Sequence, residues 1–426
     1  MSRQSQERPN WGLSYGELVW RRFTESRLNI ACLIFVVFLF VLAVFAPFLA
    51  SDRPFIVRID SKLHFPLFKN LQPTDYCIFL AVVVGFLHVL LVRRNQRLVE
   101  PFGRAGKVGR QLSIGFVIVL LGSVLILAFV PRRLDAIDYK ALVASGKATD
   151  AIFPPVPYGY DRTDLKLCRQ PPSRRHWLGT DDVGADVLCR LIHGSRISLS
   201  VGFVAVGIST VIGIIVGAIL GYFGGKVDFI GMRIVEIIMA IPAFFLIITM
   251  MAFLPRSILN TMIIIGITGW TGSARFIRAE FLKLRQQDFV QAAISLALPL
   301  RSILFKHMLP NAIAPALVNA TFGISSAIFI EAALSFLGFG VAPPTPSWGQ
   351  MLSSGVSTSG RFLWWLTLSP GLAIFLTVMA YNLAGEGLRD AIDPRFSSPV
   401  TRAVARPSWP WFTGWKPVPQ EDGRWT

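Results

Sequence analysis

The chain has 426 residues, of which 53% are hydrophobic and 16% charged, with a mean hydropathy of +0.55. A composition this apolar excludes an ordinary water-soluble domain and a disordered chain. The net charge of +17 does not indicate nucleic-acid binding, because the basic residues lie between long apolar runs without a basic, aromatic-rich stripe. Four Cys and five His lie scattered, so the sequence predicts no metal site.

Eight apolar runs are long enough to be considered membrane spans, which need about 20 residues each. In chain order they are 28–49, 76–92, 112–130, 197–223, 232–254, 258–272, 312–330 and 363–383. The sixth is the weakest, because it is short and contains polar residues. The first follows three arginines as a signal sequence would, but its length and the missing cleavage site predict a retained anchor. The predicted fold class is therefore an all-α polytopic membrane protein with about eight transmembrane helices.

The distribution of Lys and Arg predicts the orientation of these spans, since basic residues in short loops resist translocation. Residues 1–27 carry five, 93–110 six and 273–311 another six. We therefore expect these segments and both termini on the cytoplasmic side of the membrane. The loop at 131–196 is also basic, but loops of that length are exempt from the rule.

The fourth predicted span has three glycines at four-residue spacing, Gly213, Gly217 and Gly221. Such a stripe permits close approach of another helix, so we expect this face to pack against protein, with a lipid-facing helix as the alternative. Three prolines, Pro242, Pro315 and Pro370, fall within spans, where each removes an amide donor and is expected to bend its helix.

The most informative predicted cytoplasmic segment runs from 288 to 316. Phe289, Ala292, Ala293 and Leu296 lie at helical spacing before Pro299, which predicts a short helix with a face of small residues. A second short segment, 303–308, leads through Leu309 and Pro310 into the seventh span. This helix-turn-helix is suited to docking in a groove of a soluble partner, and a linker along the membrane is the alternative.

This segment resembles the EAA loop of bacterial ABC importer permeases, which carries the coupling helix that contacts the ATP-binding subunit. Four residues match the pattern at its spacing, whereas Gln291, Ala297 and His307 stand in place of its Glu, Gly and Ile. The matching residues are Ala292, Ala293, Leu309 and Pro310. The resemblance implies a type I permease core and an ATPase-coupling role for Gln291, Ala292, Ala293, Leu296, Ala297, Leu309 and Pro310.

A second motif, at 176–199, is similar to the signature of the dipeptide and oligopeptide (DppC and OppC) branch of these permeases. In physical terms, Asp181 or Asp182 is suited to capping a helix whose apolar stripe would rest on the outer membrane surface. The stripe comprises Val183, Val187, Leu188, Leu191 and Ile192. Residues 52–70 also resemble the extended outer loop of Yej-type permeases, a subgroup associated with peptides and microcin C.

The family usually has six spans, so 76–130 is interpreted as an additional transmembrane hairpin. The predicted organisation is a cytoplasmic segment 1–27, the anchor 28–49, an outer loop 50–75, the hairpin 76–130, an outer loop with an interfacial helix 131–196, the permease core 197–395 with its coupling loop 288–311, and a disordered cytoplasmic tail 396–426.

The resemblance implies a subunit that moves peptides or peptide-like compounds into the cytoplasm by alternating access. The expected partners are a homologous permease of the DppB or OppB type, ABC ATP-binding subunits and an extracytoplasmic substrate-binding protein. No phosphate-binding loop is present, because GRAGKVG at 103–109 has the wrong spacing, so ATP and Mg should bind to the partner subunits and no cofactor to this chain. Nickel import and an intramembrane enzyme are the alternatives, although the spans hold no convincing catalytic set.

Several isolated residues remain open to two interpretations. Glu331 ends an apolar run and is a candidate pathway residue near the outer mouth, although capping or pairing is equally consistent. Glu236 is expected to pair with Arg233, three residues earlier. A disulfide between Cys168 and Cys189 is an alternative to two free thiols, if both face an oxidising compartment.

Overall fold

The computed structural model describes residues 15–59, 62–96, 137–357 and 363–393, together with eight helical residues between 115 and 126. The helices are α1 Tyr15–Glu25, α2 Arg27–Leu49, α3 Pro66–Lys69, α4 Pro73–Gln96, α5 Tyr139–Ala144, α6 Val187–Phe223, α7 Gly225–Ala240, α8 Ala243–Phe253, α9 Ile258–Arg285, α10 Asp288–Ser295, α11 Leu300–Ser302, α12 Leu309–Phe336, α13 Trp348–Ser357 and α14 Trp364–Ile392. The strands are β1 Ile56–Ile59, β2 Lys62–His64 and β3 Ala148–Ile152.

Within the described residues, five helical segments are long and apolar enough to cross a membrane, and the bent pair α7–α8 counts as a sixth if it forms one span. These segments coincide with six of the eight predicted spans. The predicted span 258–272 lies in α9, whose polar and basic residues keep it below that level of hydropathy. The predicted span 112–130 and the tail 396–426 lie largely or wholly outside the described residues, so the count of eight remains a prediction.

The long helices connect two ends of one bundle. We call the end that carries α10 the basic end, and the end that carries the strands the sheet end. Helix α2 reaches the sheet end, where the carbonyl of Ala50 accepts a hydrogen bond from His193 Nε2 at 2.8 Å. At the basic end, Asn29 of α2 lies against Gly387 of α14. The first and last described segments therefore lie at the same end.

A small antiparallel sheet forms part of the sheet end, with strand order β2-β1-β3. Val57 of β1 packs with Tyr139 and Ala148 in a separate small core. The prediction of an all-α chain is therefore incomplete at this point. The strands are only three to five residues long, too short for a periodic pattern to indicate them. Strand β1 pairs with its neighbour β2 and, at long range, with β3, since Ile59 lies opposite Ala148.

Helix α6 is continuous over 37 residues and begins at Val187. Its N-terminus is capped by Asp186, whose Oδ1 accepts a hydrogen bond from the amide of Cys189 at 2.8 Å. The prediction of a separate interfacial helix is wrong, because the apolar stripe from Val187 onward forms the first turns of this long helix and buries against the bundle. At about 1.5 Å per residue, α6 exceeds the roughly 30 Å of a hydrocarbon core.

The three prolines that were predicted to bend their helices act differently. The fifth predicted span breaks at Ile241 and Pro242, so that α7 and α8 meet at an angle of 74°. Pro315 and Pro370, in contrast, lie inside α12 and α14 without ending them. The predicted bend therefore becomes a full break at Pro242.

The glycine stripe of α6 packs directly against the backbone of α9, as the four-residue spacing predicts. A Cβ added to Gly213, Gly217 or Gly221 would approach atoms of α9 at 2.4, 2.5 and 2.6 Å respectively. Contacts run from Gly213 with Ser273 to Gly221 with Phe281, so the two helices are parallel. No larger side chain would permit this separation.

The predicted additional hairpin joins the rest of the molecule at the sheet end. Asp75, at the start of α4, forms an ion pair with Arg196 of α6 at 2.5 Å. Phe48 of α2 contacts Phe79 of α4 with ring centroids 5.7 Å apart. A Cβ on Gly122 would lie 2.5 Å from Leu80, so the helical residues near 122 pack on α4. These contacts attach the hairpin to the outside of the bundle beside α2.

Candidate functional site at residues 288–311

Helix α10 begins two residues after α9 and is held close to it by both backbone and side-chain contacts. Gln291 Nε2 donates a hydrogen bond to the carbonyl of Arg285 at 2.7 Å. Val290 and Ala293 are buried in a cluster that also contains Phe281 of α9 and Met308. This inner face fixes the orientation of α10 relative to the bundle.

The opposite face of α10 is exposed and apolar. Phe289 is 41% exposed and Leu296 74% exposed, and Ala292 between them is also exposed. The predicted face is therefore divided by the structure: Ala292 and Leu296 point outward, whereas Ala293 belongs to the buried face. The correction follows from helix geometry, since residues 292 and 293 are separated by about 100° around the axis. Large apolar residues that remain exposed beside a buried anchor are typical of a docking surface.

The helix ends in a Schellman motif, with Ala297 in the left-handed region at φ +51°. The amide of Leu298 donates to the carbonyl of Ala293 at 3.2 Å, and the amide of Ala297 donates to that of Ile294 at 2.9 Å. Ala297, which stands in place of the glycine of the EAA pattern, therefore lies just beyond the helix end. A glycine here adopts the required conformation without steric cost, whereas an alanine is strained.

The second predicted segment is a π-helical turn, Ile303–Met308, that continues into α12 through Leu309 and Pro310. Asn311 Nδ2 donates a hydrogen bond to the carbonyl of His307 at 2.6 Å. Leu309 packs against the buried cluster and Pro310 is exposed. Phe305 is a further exposed apolar residue that sequence reasoning missed, since no periodic pattern distinguishes one phenylalanine in a short turn.

Two ion pairs involve residues of α7. Arg278 of α9 forms an ion pair through both its Nε and Nη2 with the carboxylate of Asp228 in α7. Arg233 pairs with Glu236 at 2.8 Å, as their spacing predicts. The first pair joins two helices, whereas the second lies on the exposed face of one.

Glu331, the candidate pathway residue, is fully buried near the end of α12. Its carboxylate accepts hydrogen bonds from Ser198 of α6 at 3.1 Å and from Ser335 at 2.7 Å. Of the two interpretations, the structure therefore favours pairing within the protein over contact with a pathway. The partner serines could not be identified from sequence, since one lies 133 positions away.

At the sheet end, the motif at 176–199 forms a buried polar network. Asp181 accepts hydrogen bonds from the amides of Val183 and Ala185 at 3.0 and 2.8 Å and forms an ion pair with Arg190. Arg190 Nη2 also donates to Gln350 Oε1 at 3.3 Å. His176 Nδ1 lies 2.8 Å from Asp186 Oδ2, so the helix cap is itself hydrogen-bonded. The motif thus fixes the entry of the chain into α6.

The ring of Tyr158 packs against His176 of this network. The two ring centroids lie 4.5 Å apart, and Lys140 Nζ lies 3.9 Å from the Tyr158 centroid. Burial raises the pKa of Tyr158 and lowers the pKa of Lys140. Both shifts reflect the cost of ionising groups shielded from water.

Cys168 and Cys189 are both free thiols, so the alternative of a disulfide is not realised. Cys189 is buried in the first turn of α6, and its Sγ donates to the carbonyl of Tyr158 at 2.9 Å. Within the described ranges, no three His, Cys, Asp or Glu side chains are close enough to hold a metal ion.

Comparison with known proteins identifies two matched regions. Residues 213–398 match the family of inner-membrane components of binding-protein-dependent transport systems, and 14–73 match the N-terminal transmembrane domain of oligopeptide transport permease C. The oligopeptide transport system permease OppC of Bacillus subtilis is 41% identical over 247 residues, 58% of this chain and 81% of that protein. The dipeptide permease DppC of Alkalihalophilus pseudofirmus is 40% identical over 253 residues, 58% and 82%.

Among solved structures, an inward-facing MetNI methionine ABC transporter aligns with a TM-score of 0.38 and 22% identity, covering 48% of this chain and 97% of that one. Residues 74–212 lie between the two regions matched by the family models. They include the predicted additional hairpin, β3 and the start of α6.

Proposed function

The chain belongs to the family of permease subunits of binding-protein-dependent ABC importers, in its OppC and DppC branch, and we propose that it moves peptides or peptide-like compounds into the cytoplasm. It is a non-catalytic membrane subunit. The observation that carries the choice of cargo is the identity of about 40% to oligopeptide and dipeptide permeases over most of their length.

The energy for transport would come from ATP-binding subunits docked at the basic end. The exposed apolar face of α10 supports this role, because Phe289, Ala292 and Leu296 project from a helix whose other face is buried. A movement of the docked subunit would be transmitted through α10 to α9 and α12, because residues of all three helices share one buried cluster. The ends of the docking surface would be formed by Gln291, Ala297, Leu309 and Pro310. Ala293 would contribute by holding α10 in the buried cluster.

The remaining assignments follow from the same arrangement. ATP and Mg would bind to the ATP-binding subunits, a homologous permease would complete the pathway, and a substrate-binding protein would deliver cargo at the sheet end. The basic end would face the cytoplasm of a bacterial inner membrane, because its loops carry Arg285, Arg301 and Lys306 in a short connection. Both described termini lie at that end and would be cytoplasmic.

Reconstitution tests this proposal. The chain would be purified with its homologous permease and ATP-binding subunits and placed in proteoliposomes with ATP inside and loaded binding protein outside. We expect ATP-dependent uptake of labelled peptide and stimulation of ATP hydrolysis by the loaded binding protein. ATP hydrolysis without uptake of any peptide would contradict the assigned cargo.

A further inference from the structure

Arg275 carries an exposed positive charge on α9 that has no carboxylate within 4.0 Å among the described residues. Its neighbours Arg233 and Arg278 are both paired, with Glu236 and Asp228 respectively. Among the residues that the structure describes, its one polar contact is with the sulfur of Met239, 3.7 Å from Nη1. This guanidinium is therefore set apart from the two beside it.

Arg275 lies three residues beyond the predicted span 258–272, in the segment 273–311 that the basic residues assign to the cytoplasm. In the structure, however, its neighbour Ala274 packs against Gly213 and Gly217, in the middle of the predicted span 197–223, so Arg275 lies at membrane depth. Met239 is about 20 Å along α7 from Gly225, at about 1.5 Å per residue, and Gly225 lies at the basic end beside the ends of α6 and α9. Met239 immediately precedes the break at Ile241 and Pro242. The guanidinium of Arg275 therefore lies next to a broken transmembrane helix.

Lipid hydrocarbon is a poor environment both for an arginine without a carboxylate partner and for the break between α7 and α8. An Arg within a span almost always faces protein or a water-filled cavity, since its transfer into hydrocarbon is costly. Backbone that departs from a helix at membrane depth is likewise tolerated only where protein or water satisfies its polar groups. Two independent observations, the unpaired charge and the break, thus assign the same face to a polar environment.

No described residue covers the same face of α9 beside Arg275. Gly272 lies one turn before Arg275, and a Cβ added there would meet no atom within 4 Å. Residues three apart share a helix face, so the open position and the guanidinium are adjacent. Ligand atoms could approach the α9 backbone there without being blocked by a side chain.

We propose that Arg275 binds the terminal carboxylate of the peptide as it passes this face, an inference that rests on the proposed transport function. A guanidinium presents two parallel N–H donors that match the two oxygens of a carboxylate. Every linear peptide with an unmodified C-terminus supplies this group. Water in the pathway would weaken this contact enough for the cargo to be released.

The experiment compares two cargoes that differ only at the C-terminus. The reconstituted complex would take up the same labelled tetrapeptide as the free acid and as the amide, each at a concentration that saturates the binding protein. The preference of the binding protein is the same for every variant, so it cancels when the acid-to-amide ratio is compared between variants. The variants are Arg275→Gln, Arg275→Lys and, as a paired arginine of the same region, Arg233→Gln.

We expect Arg275→Gln to lower the acid-to-amide ratio about tenfold, the scale of one charge-assisted hydrogen-bond pair. Arg275→Lys, which keeps the charge but not the fork, should lower the ratio less, and Arg233→Gln should leave it unchanged. Should Arg275→Gln fail to assemble, the lysine variant still decides by its ratio.

An unchanged ratio would overturn the proposal. An equal fall for both cargoes would also overturn it, because the counter-charge of Arg275 would then belong to the protein. If the wild-type complex takes up neither cargo, the proposed function itself fails.

Discussion

The two ends of the bundle use polar and apolar residues in opposite ways. At the sheet end, the motif around Asp181 and Asp186 buries charges and satisfies them with Arg190, His176 and backbone amides. At the basic end, α10 leaves Phe289 and Leu296 exposed. A buried, internally satisfied network fixes one local structure, whereas exposed apolar residues on a firmly anchored helix are suited to contact another molecule.

The two motifs are therefore suited to different roles. The sheet-end motif is suited to positioning the start of α6, the long helix whose glycine stripe packs against α9. The loop at 288–311 is suited to binding outside the chain. Substitutions in the sheet-end motif should therefore lower the amount of folded protein. Substitutions on the exposed face of α10 should instead alter ATPase coupling in a protein that still folds.

The largest expected effect is at the sheet end. Asp181→Ala would leave Arg190 buried without its counter-charge and two amides without an acceptor. Breaking a buried pair in this way costs about 3–5 kcal/mol, so we expect a large fall in membrane level and in thermal stability. Asp182→Ala is the matched control, because the neighbouring Asp182 is only half-buried and makes no ion pair in the described ranges. Equal stability of the two variants would contradict the role of the network.

A second substitution tests the close packing that joins the two ends. Gly217→Ala would bring a Cβ to 2.5 Å from the carbonyl oxygen of Ala274, so α6 and α9 must separate. Overpacking of this kind costs about 1–3 kcal/mol. Gly207→Ala on the same helix meets no atom within 4 Å and should be tolerated. Thermal unfolding in detergent compares them, and an equal tolerance would mean that the stripe is not constrained.

The smallest expected effect is a gain in stability at the basic end. Ala297→Gly relieves the strain of an alanine at φ +51°, and we expect it to stabilise the loop by about 1 kcal/mol. Ala279→Gly, on an exposed position inside α9, should instead destabilise the protein by about the same amount. Thermal unfolding of the two variants should therefore shift in opposite directions. A loss of stability in Ala297→Gly would contradict the assigned conformation.

Sequence reasoning located what depends on local periodicity. It predicted most spans, the glycine stripe, a bend near Pro242 and the short helix before Pro299, whereas Pro315 and Pro370 lie inside continuous helices. It did not find the pairing of β1 with β3, which is long-range, nor Ser198 as a partner of Glu331, which lies 133 positions away. The predicted side of Ala293 is wrong, because neighbouring residues lie about 100° apart around a helix. The left-handed conformation of Ala297 was not predicted, because the sequence does not fix the residue at which the helix ends.

The docking surface on α10 is tested most directly by substrate-stimulated ATP hydrolysis of the Ala292→Arg variant in the reconstituted complex. The substitution places a charge on the exposed face of α10, where it would clash with a docked subunit or be buried without a partner. We expect normal membrane level and thermal stability, loss of stimulated hydrolysis and release of the ATP-binding subunits. Ala292→Ser should keep coupling, and Ala293→Arg should lose folded protein instead, because Ala293 is buried. Normal assembly and stimulation in Ala292→Arg would contradict the assignment of this face as the docking surface.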